Sequence, residues 1–338
     1  MSETMNLMPT DEQVEIASSS RAFLADRLPT SRIRELIEID DHAGDPVDDK
    51  TWREAAELGW FALGLPEEAG GIGFGLADEA VLFREIGRSL APGPYLSTVL
   101  GARVAAAGGA DALAADLVAG AGRAGLAMPA GSSDLWVLDG GAHVLMVRPD
   151  RAALVPTSAI EALAAEPCID DASRIARGRQ GAYAPVAEVT AAQDPIHRRA
   201  LVLSAALLVG MAEQCRDLCV EHASSREQFG KPIGIHQAVK HPIADMAIRA
   251  EAAWPQTVVA ACAHDEGRPD ADFHALCARI AASGAARDNA AHTVQVMGGM
   301  GFTHEHDAHL IVKRAAVIAS TLGGDKALLA QLLAQPPA

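Results

Sequence analysis

Aromatic side chains are scarce in this chain, only 4% of 338 residues. A core with so few rings must be closed by smaller groups, and the 49% hydrophobic fraction, dominated by alanine and leucine, points to helices packed closely through small side chains. Positive charge is also in deficit. With 28 Lys and Arg against 44 Asp and Glu, the formal net charge is −16, so nucleic acid would be repelled over most of the surface. A phosphorylated small molecule stays possible, because a few convergent arginines hold one locally. The five cysteines, Cys168, Cys215, Cys219, Cys262 and Cys277, are odd in number and form no C-x-x-C pair, so they read as reduced thiols packed as small apolar groups. Met1 to Pro9 lacks the basic and apolar runs of a secretion signal, and no uninterrupted apolar stretch reaches membrane-spanning length. The expectation is a soluble, cytoplasmic chain with no membrane and no nucleic-acid partner.

The length suffices for two or three packed units sharing a core. Thr10 followed by Gln13 is a capping-box pattern, and Val14, Ala17, Arg21 and Leu24 recur at helical spacing, which predicts a first helix there. Further helical series follow around Ile33 to Ile37, Trp52 to Leu58 and Asp78 to Leu90. Leu65-Pro66-Glu67-Glu68-Ala69-Gly70-Gly71-Ile72-Gly73 interrupts them as a loop, and Ala91-Pro92-Gly93-Pro94 ends the series. Residues 1–120 thus read as an N-terminal helical unit.

The character changes at residues 121–194. Asp134 to Leu138 and His143 to Val147 are β-type runs flanking Asp139-Gly140, a hairpin signal, and Ala153 to Val155 could add a strand. Beyond Asp194-Pro195, the segments 197–222, 235–265, 271–298 and 305–319 are long, alanine-rich and apolar on one face. They predict a four-helix bundle over 195–338. The fold class is mainly α with a small, reduced middle β unit.

Two motifs stand in the bundle. Arg226-Glu227-Gln228-Phe229-Gly230, followed by Ile233-Gly234 and Gln237, offers a guanidinium for paired bonds to phosphate oxygens, an amide donor and a ring that can pack on a planar group. The competing reading is a solvated arginine beside a core phenylalanine at a helix end. Gln295-Val296-Met297-Gly298-Gly299-Met300-Gly301-Phe302 sets paired glycines beyond a long helix. There backbone can approach a ligand with N–H groups free, or simply cap the helix and turn. Met297 and Met300 read as packing. His304, His306 and His309 with Glu305 and Asp307 suggest a metal site less well than a polar helix start with Asp307 near the positive end of the dipole, and no metal is expected.

In this order, separated by two long helices, the motifs resemble the C-terminal domain of the acyl-CoA dehydrogenase family. The 65–73 segment resembles that family's N-terminal P-E-E-x-G-G-x-G element, and the order helix, sheet, helix matches its three-domain fold. The resemblance implies that Arg226, Gln228, Phe229, Gln237, Gln295, Val296, Met297, Gly298 and Gly299 contact FAD across a subunit interface. It also implies α,β-dehydrogenation of an acyl-CoA, with a carboxylate taking the α-proton while hydride leaves to the flavin.

Here the chain departs from the pattern of the family it resembles. The position 27 residues after Gln295 is Leu322, and the alternative position 26 residues before Arg226 is Ala200, so neither family base position holds a glutamate. Asp325 is the nearest substitute. The flavin-ring strand motif T-E-x-x-A-G-S-D has only a faint echo in Gly131-Ser132-Ser133-Asp134. Both departures resemble the small, non-catalytic subunit of the heteromeric acyl-CoA dehydrogenases of actinobacterial steroid side-chain degradation, which pair with a larger catalytic subunit as α2β2 tetramers. A self-sufficient dehydrogenase using Asp325 and a non-enzymatic helical scaffold are the alternatives.

Overall fold

The computed structural model describes residues 6–38, 45–131, 133–303 and 306–335. The capping box forms as the sequence predicts. The Thr10 hydroxyl accepts the Gln13 N–H at 3.2 Å, and the Gln13 side chain accepts the Thr10 N–H at 3.3 Å, which opens α1 (Asp11–Arg27). Helices α2 (Thr30–Glu38), α3 (Asp49–Glu57), α4 (Leu76–Arg88), α5 (Tyr95–Ala107) and α6 (Asp111–Val118) complete the first unit. The loop between α3 and α4 doubles back on itself: a Cβ on Gly71 would fall 1.9 Å from the Leu65 carbonyl oxygen.

A seven-stranded sheet follows: β1 (Ala124–Ala130), β2 (Asp134–Leu138), β3 (His143–Val147), β4 (Arg151–Pro156), β5 (Ala164–Glu166), β6 (Ile175–Arg179) and β7 (Ala187–Thr190), in the order β5-β6-β2-β1-β3-β4-β7. The predicted hairpin is a correction. Both strands exist, yet β1 lies between them, Leu126 pairing with Leu138 on one side and Leu145 on the other. Asp139-Gly140-Gly141 therefore crosses over the start of β1 instead of closing a two-strand turn. The crossing is close, since a Cβ on Gly141 would sit 2.1 Å from the Arg123 carbonyl oxygen. Leu126, Leu138, Leu145, Leu154 and Val189 join the main core, whereas Ala127, Leu135, Val137, Val144 and Ile160 form a second, smaller one.

The C-terminal unit runs through α7 (Ile196–Ser225), a short hairpin of β8 (Glu227–Gln228) and β9 (Lys231–Pro232), α8 (Gln237–Asp265), α9 (Ala271–Met297), α10 (Ala308–Ser320) and α11 (Gly324–Leu333). The four predicted helices are α7 to α10. The short α11, packed on α9 and α10, is a fifth. Buried Cys215 and Cys219 face Thr293, and burial pushes their thiols up to about 12 and about 11, so they pack as neutral groups. The span Ala308–Leu333 is long and apolar enough to cross a membrane, against the sequence expectation, but it turns at Leu322 (φ 57°), Gly323 and Gly324. Neither α10 nor α11 alone reaches the ~20 residues a crossing needs.

The first and last units are welded where α4 crosses α7. A Cβ on Gly87 would lie 2.0 Å from the Leu207 carbonyl oxygen, and one on Gly210 would lie 2.0 Å from that of Arg84. The two backbones touch only because both positions lack a side chain. Arg84 holds Glu213 through Nε at 2.9 Å, and Arg88 pairs with Asp217 beside it.

Candidate functional site

Helix α7 ends at Arg226, whose backbone turns extended while its N–H still reaches the His222 carbonyl at 2.8 Å. The chain then reverses through β8 and β9 with Phe229 (φ 51°) and Gly230 (φ 76°) at the tip. Two successive positive φ values make the tight turn whose twist suits a hairpin, but phenylalanine adopts that conformation at a cost. The ring faces outward: Phe229 is 97% exposed, so the reading as a core phenylalanine is overturned. Arg226, Gln228 and, at the start of α8, Gln237 are exposed as well, and the Arg226 guanidinium has no hydrogen bond or ion pair among the described residues.

The second motif closes α9. Gln295 is exposed and Val296 is partly buried against the core, whereas Met297 is buried and can serve a ligand only through its backbone. Gly298 has φ 61° and ψ −136°, a conformation open essentially to glycine alone. Its N–H donates to the Val294 and Gln295 carbonyls, which corrects the expectation that it stays free for phosphate. Gly299 has no such constraint. It is exposed, and a Cβ there would meet nothing within 4 Å. Met300 and Phe302 are exposed at 43% and 80%, so Met300 is not the packing residue expected.

The histidine group weighed as a metal alternative is described only in part. His304 and Glu305 lie outside the described residues. His306 precedes α10 instead of sharing it with His309, and its Nδ1 accepts the Ala308 N–H at 3.1 Å. Asp307 does not serve the α10 dipole through a cap bond; it accepts from Thr30 at 2.7 Å and from Arg34 at 2.9 and 2.6 Å. Among the described residues no three candidate ligands cluster.

Both family base positions are apolar, one buried and one partly buried. Ala200 is fully buried in α7, and Leu322 packs against the core in a turn of three consecutive positive φ values. Asp325, in the first turn of α11, is committed elsewhere: it accepts the Ser283 hydroxyl at 2.7 Å and pairs with Arg287 at 2.5 Å. The nearby interior holds a cavity of about 40 Å³ lined by Tyr95, Leu96, Leu207, Met211, Ile318 and Thr321. One buried water needs roughly 10–15 Å³ on this measure, so the space suits a few waters and not an acyl chain.

Sequence reasoning passed over the buried cations around this interior. Arg279 is fully buried, donates to Ser204 at 2.9 Å and to the Ile318 carbonyl at 2.7 Å, and is pushed down to about 10 by burial. Arg314 pairs with Asp170 and donates to the Ala91 carbonyl at 3.0 Å, tying α10 to the loop before β6. A lone arginine in an alanine-rich helix pattern was the only signal, and it does not tell inside from outside.

Known proteins match this arrangement from end to end. The family model for the acyl-CoA dehydrogenase N-terminal domain matches residues 10–123, and that for the C-terminal domain matches residues 196–335. Acyl-CoA dehydrogenase IpdE2 of Mycobacterium tuberculosis is 33% identical over 330 residues, covering 96% of this chain and 98% of the relative. Among solved structures, the Tcur3481-Tcur3483 steroid ACAD G363A variant shares 27% identity with a TM-score of 0.80 over 95% of this chain and 96% of that one. The ChsE4-ChsE5 complex from Mycobacterium tuberculosis, at 23% identity, has the same fold, with a TM-score of 0.83 over 99% of this chain and 100% of that one. With both helical domains matched and a relative of 33% identity spanning nearly the whole chain, the chain belongs to the acyl-CoA dehydrogenase family, a family of FAD enzymes.

Proposed function

We propose that this chain is the non-catalytic subunit of a heteromeric acyl-CoA dehydrogenase, clasping FAD held by a larger partner that contributes the catalytic glutamate and most of the acyl-CoA pocket. One observation carries the reading: the clamp faces outward with an unengaged arginine, while both base positions are apolar, Ala200 fully buried and Leu322 partly buried against the core. The residues present suit the cofactor. Arg226, Gln228, Gln237 and Gln295 would donate to its polar groups, the open space beside Gly299 leaves room for close approach, and Phe229 would cover a planar face. FAD, when bound, would supply hydride acceptance, and the residues of this chain would position it. The likeness to the Tcur3481-Tcur3483 steroid ACAD supports an unlike partner and a steroid side-chain CoA ester as substrate class.

Expression with and without a glutamate-bearing homologue tests this. The lone chain should purify flavin-poor and inactive, whereas the pair should be a yellow α2β2 assembly with half as many FAD as chains. Arg226→Ala in the pair should weaken FAD retention by roughly ten- to a hundredfold, the loss of a charge-assisted bond. Stoichiometric FAD on the lone chain, reduced by an acyl-CoA, would overturn the reading.

A further inference from the structure

The interior cavity lies where the three units meet. Tyr95 opens α5 of the first unit, Ser173 precedes β6 of the sheet, Arg314 and Thr321 stand within and just beyond α10, and all four line the space. Leu207 and Met211 of α7 give it an apolar wall. None of these six residues is more than 7% exposed.

Two polar atoms in that lining are unmatched among the described residues. Tyr95 Oη has no hydrogen-bond partner, and burial raises its hydroxyl well above the ordinary tyrosine range, so it keeps a proton to donate. Arg314 commits Nε to Asp170 and Nη1 to the Ala91 carbonyl at 3.0 Å, which leaves Nη2 without an acceptor. Ser173 and Thr321 donate their hydroxyl protons to Asp170 and to the Ile318 carbonyl, each at 2.7 Å, and their oxygens keep lone pairs to accept with. Interiors seldom leave buried donors unmet, because their desolvation then goes uncompensated.

A neutral acceptor suits these groups better than an anion. Asp170 already balances the Arg314 charge, and Asp139, on the same lining, adds a second carboxylate. At roughly 10–15 Å³ for each water, the cavity of about 40 Å³ holds about three. Gly93, Pro94 and Asp139 also line a smaller cavity of about 20 Å³ beside exposed Asp45, which gives solvent a way in.

We propose that this cavity is a built water site: about three ordered waters bridge Tyr95 Oη, Arg314 Nη2 and the Ser173 and Thr321 oxygens, so that the helical unit, the sheet and the bundle are hydrogen-bonded to one another through one internal cluster. The role belongs to the fold of the chain and holds with or without a flavin clamp.

A high-resolution crystal structure of the protein as it purifies, alone or with its partner, solved with and without xenon pressure, tests this. Discrete water peaks should lie within about 3 Å of Tyr95 Oη and of Arg314 Nη2, with no xenon between them. A cavity that is dry, or that fills with xenon as apolar cavities do, overturns the inference. Tyr95→Phe supplies a second measurement whose sign decides. Waters that lose a partner should lower Tm by roughly 1–3 °C, the weight of one hydrogen bond in a chain of this size, whereas a variant that melts above the parent shows that the phenol hydroxyl was unmet in a dry space. Thr321→Val should act on the same waters, so the two changes together should lower Tm by less than the sum of the single losses. Strictly additive losses would show that the two groups share no cluster.

Discussion

At the scale of single residues, Asp139 shows what the sheet crossing imposes. Its N–H donates to the Arg174 carbonyl at 2.7 Å and its Oδ1 accepts the Arg174 N–H at 2.8 Å, so the carboxyl is drawn against the protein. Burial pushes it up to about 6, from a usual value of 3.8. Between those values the folded chain keeps a proton that the unfolded chain has released, so the stability from this group is present at low pH and is lost as pH rises through about 6. Asparagine keeps the accepting oxygen without the charge. Asp139→Asn should therefore match the parent in thermal melts below about pH 4 and exceed it in Tm above about pH 6. A variant less stable than the parent at neutral pH would show that the ionised carboxylate is favourable there.

At the scale of elements, the contact of α4 with α7 fixes how the first and last units meet. A methyl group at position 210 would be driven against the Arg84 carbonyl, a backbone atom that cannot swing aside as a side chain can. Gly210→Ala should cost about 1–3 kcal/mol, read as a lower denaturant midpoint, despite alanine's better helix propensity. Stability equal to the parent would mean that the helices can separate without loss. The capping box at Thr10 and the 3.6-residue apolar spacing made the helices readable from sequence. The sheet was harder. Strand β1 reads Ala-Gly-Leu-Ala-Met-Pro-Ala, with low strand propensity, and occupies the centre because its neighbours and α5 enclose it. Strand β6, Ile-Ala-Arg-Gly-Arg, is readable only once β2 is there to pair with it.

At the scale of the whole molecule, three units share one continuous core, while Arg226, Gln228, Phe229, Gln237 and Gln295 lie on its outside. The motif residues were legible because arginine, glutamine and glycine at fixed offsets have few structural reasons to occur together. What sequence could not convey was direction. Phe229 might have faced inward, the Gly298 N–H might have been free, and Asp325 might have been unengaged, and each was settled by packing between segments distant in the chain. The buried cations Arg279 and Arg314 escaped notice for the same reason.

At Gly299 the fold of this chain imposes no demand for glycine. Its φ lies outside the positive range, no atom of its own chain stands within 4 Å of where a Cβ would be, and helix or turn geometry would accept alanine there. Any constraint on the position must come from a different molecule. A mutational screen that scores folding of the isolated chain should therefore find Gly299→Ala silent, whereas a screen that scores turnover of the assembled enzyme should reject it. Two genes would then be writing one residue, and drift at this site in one would be visible only against the sequence of the other.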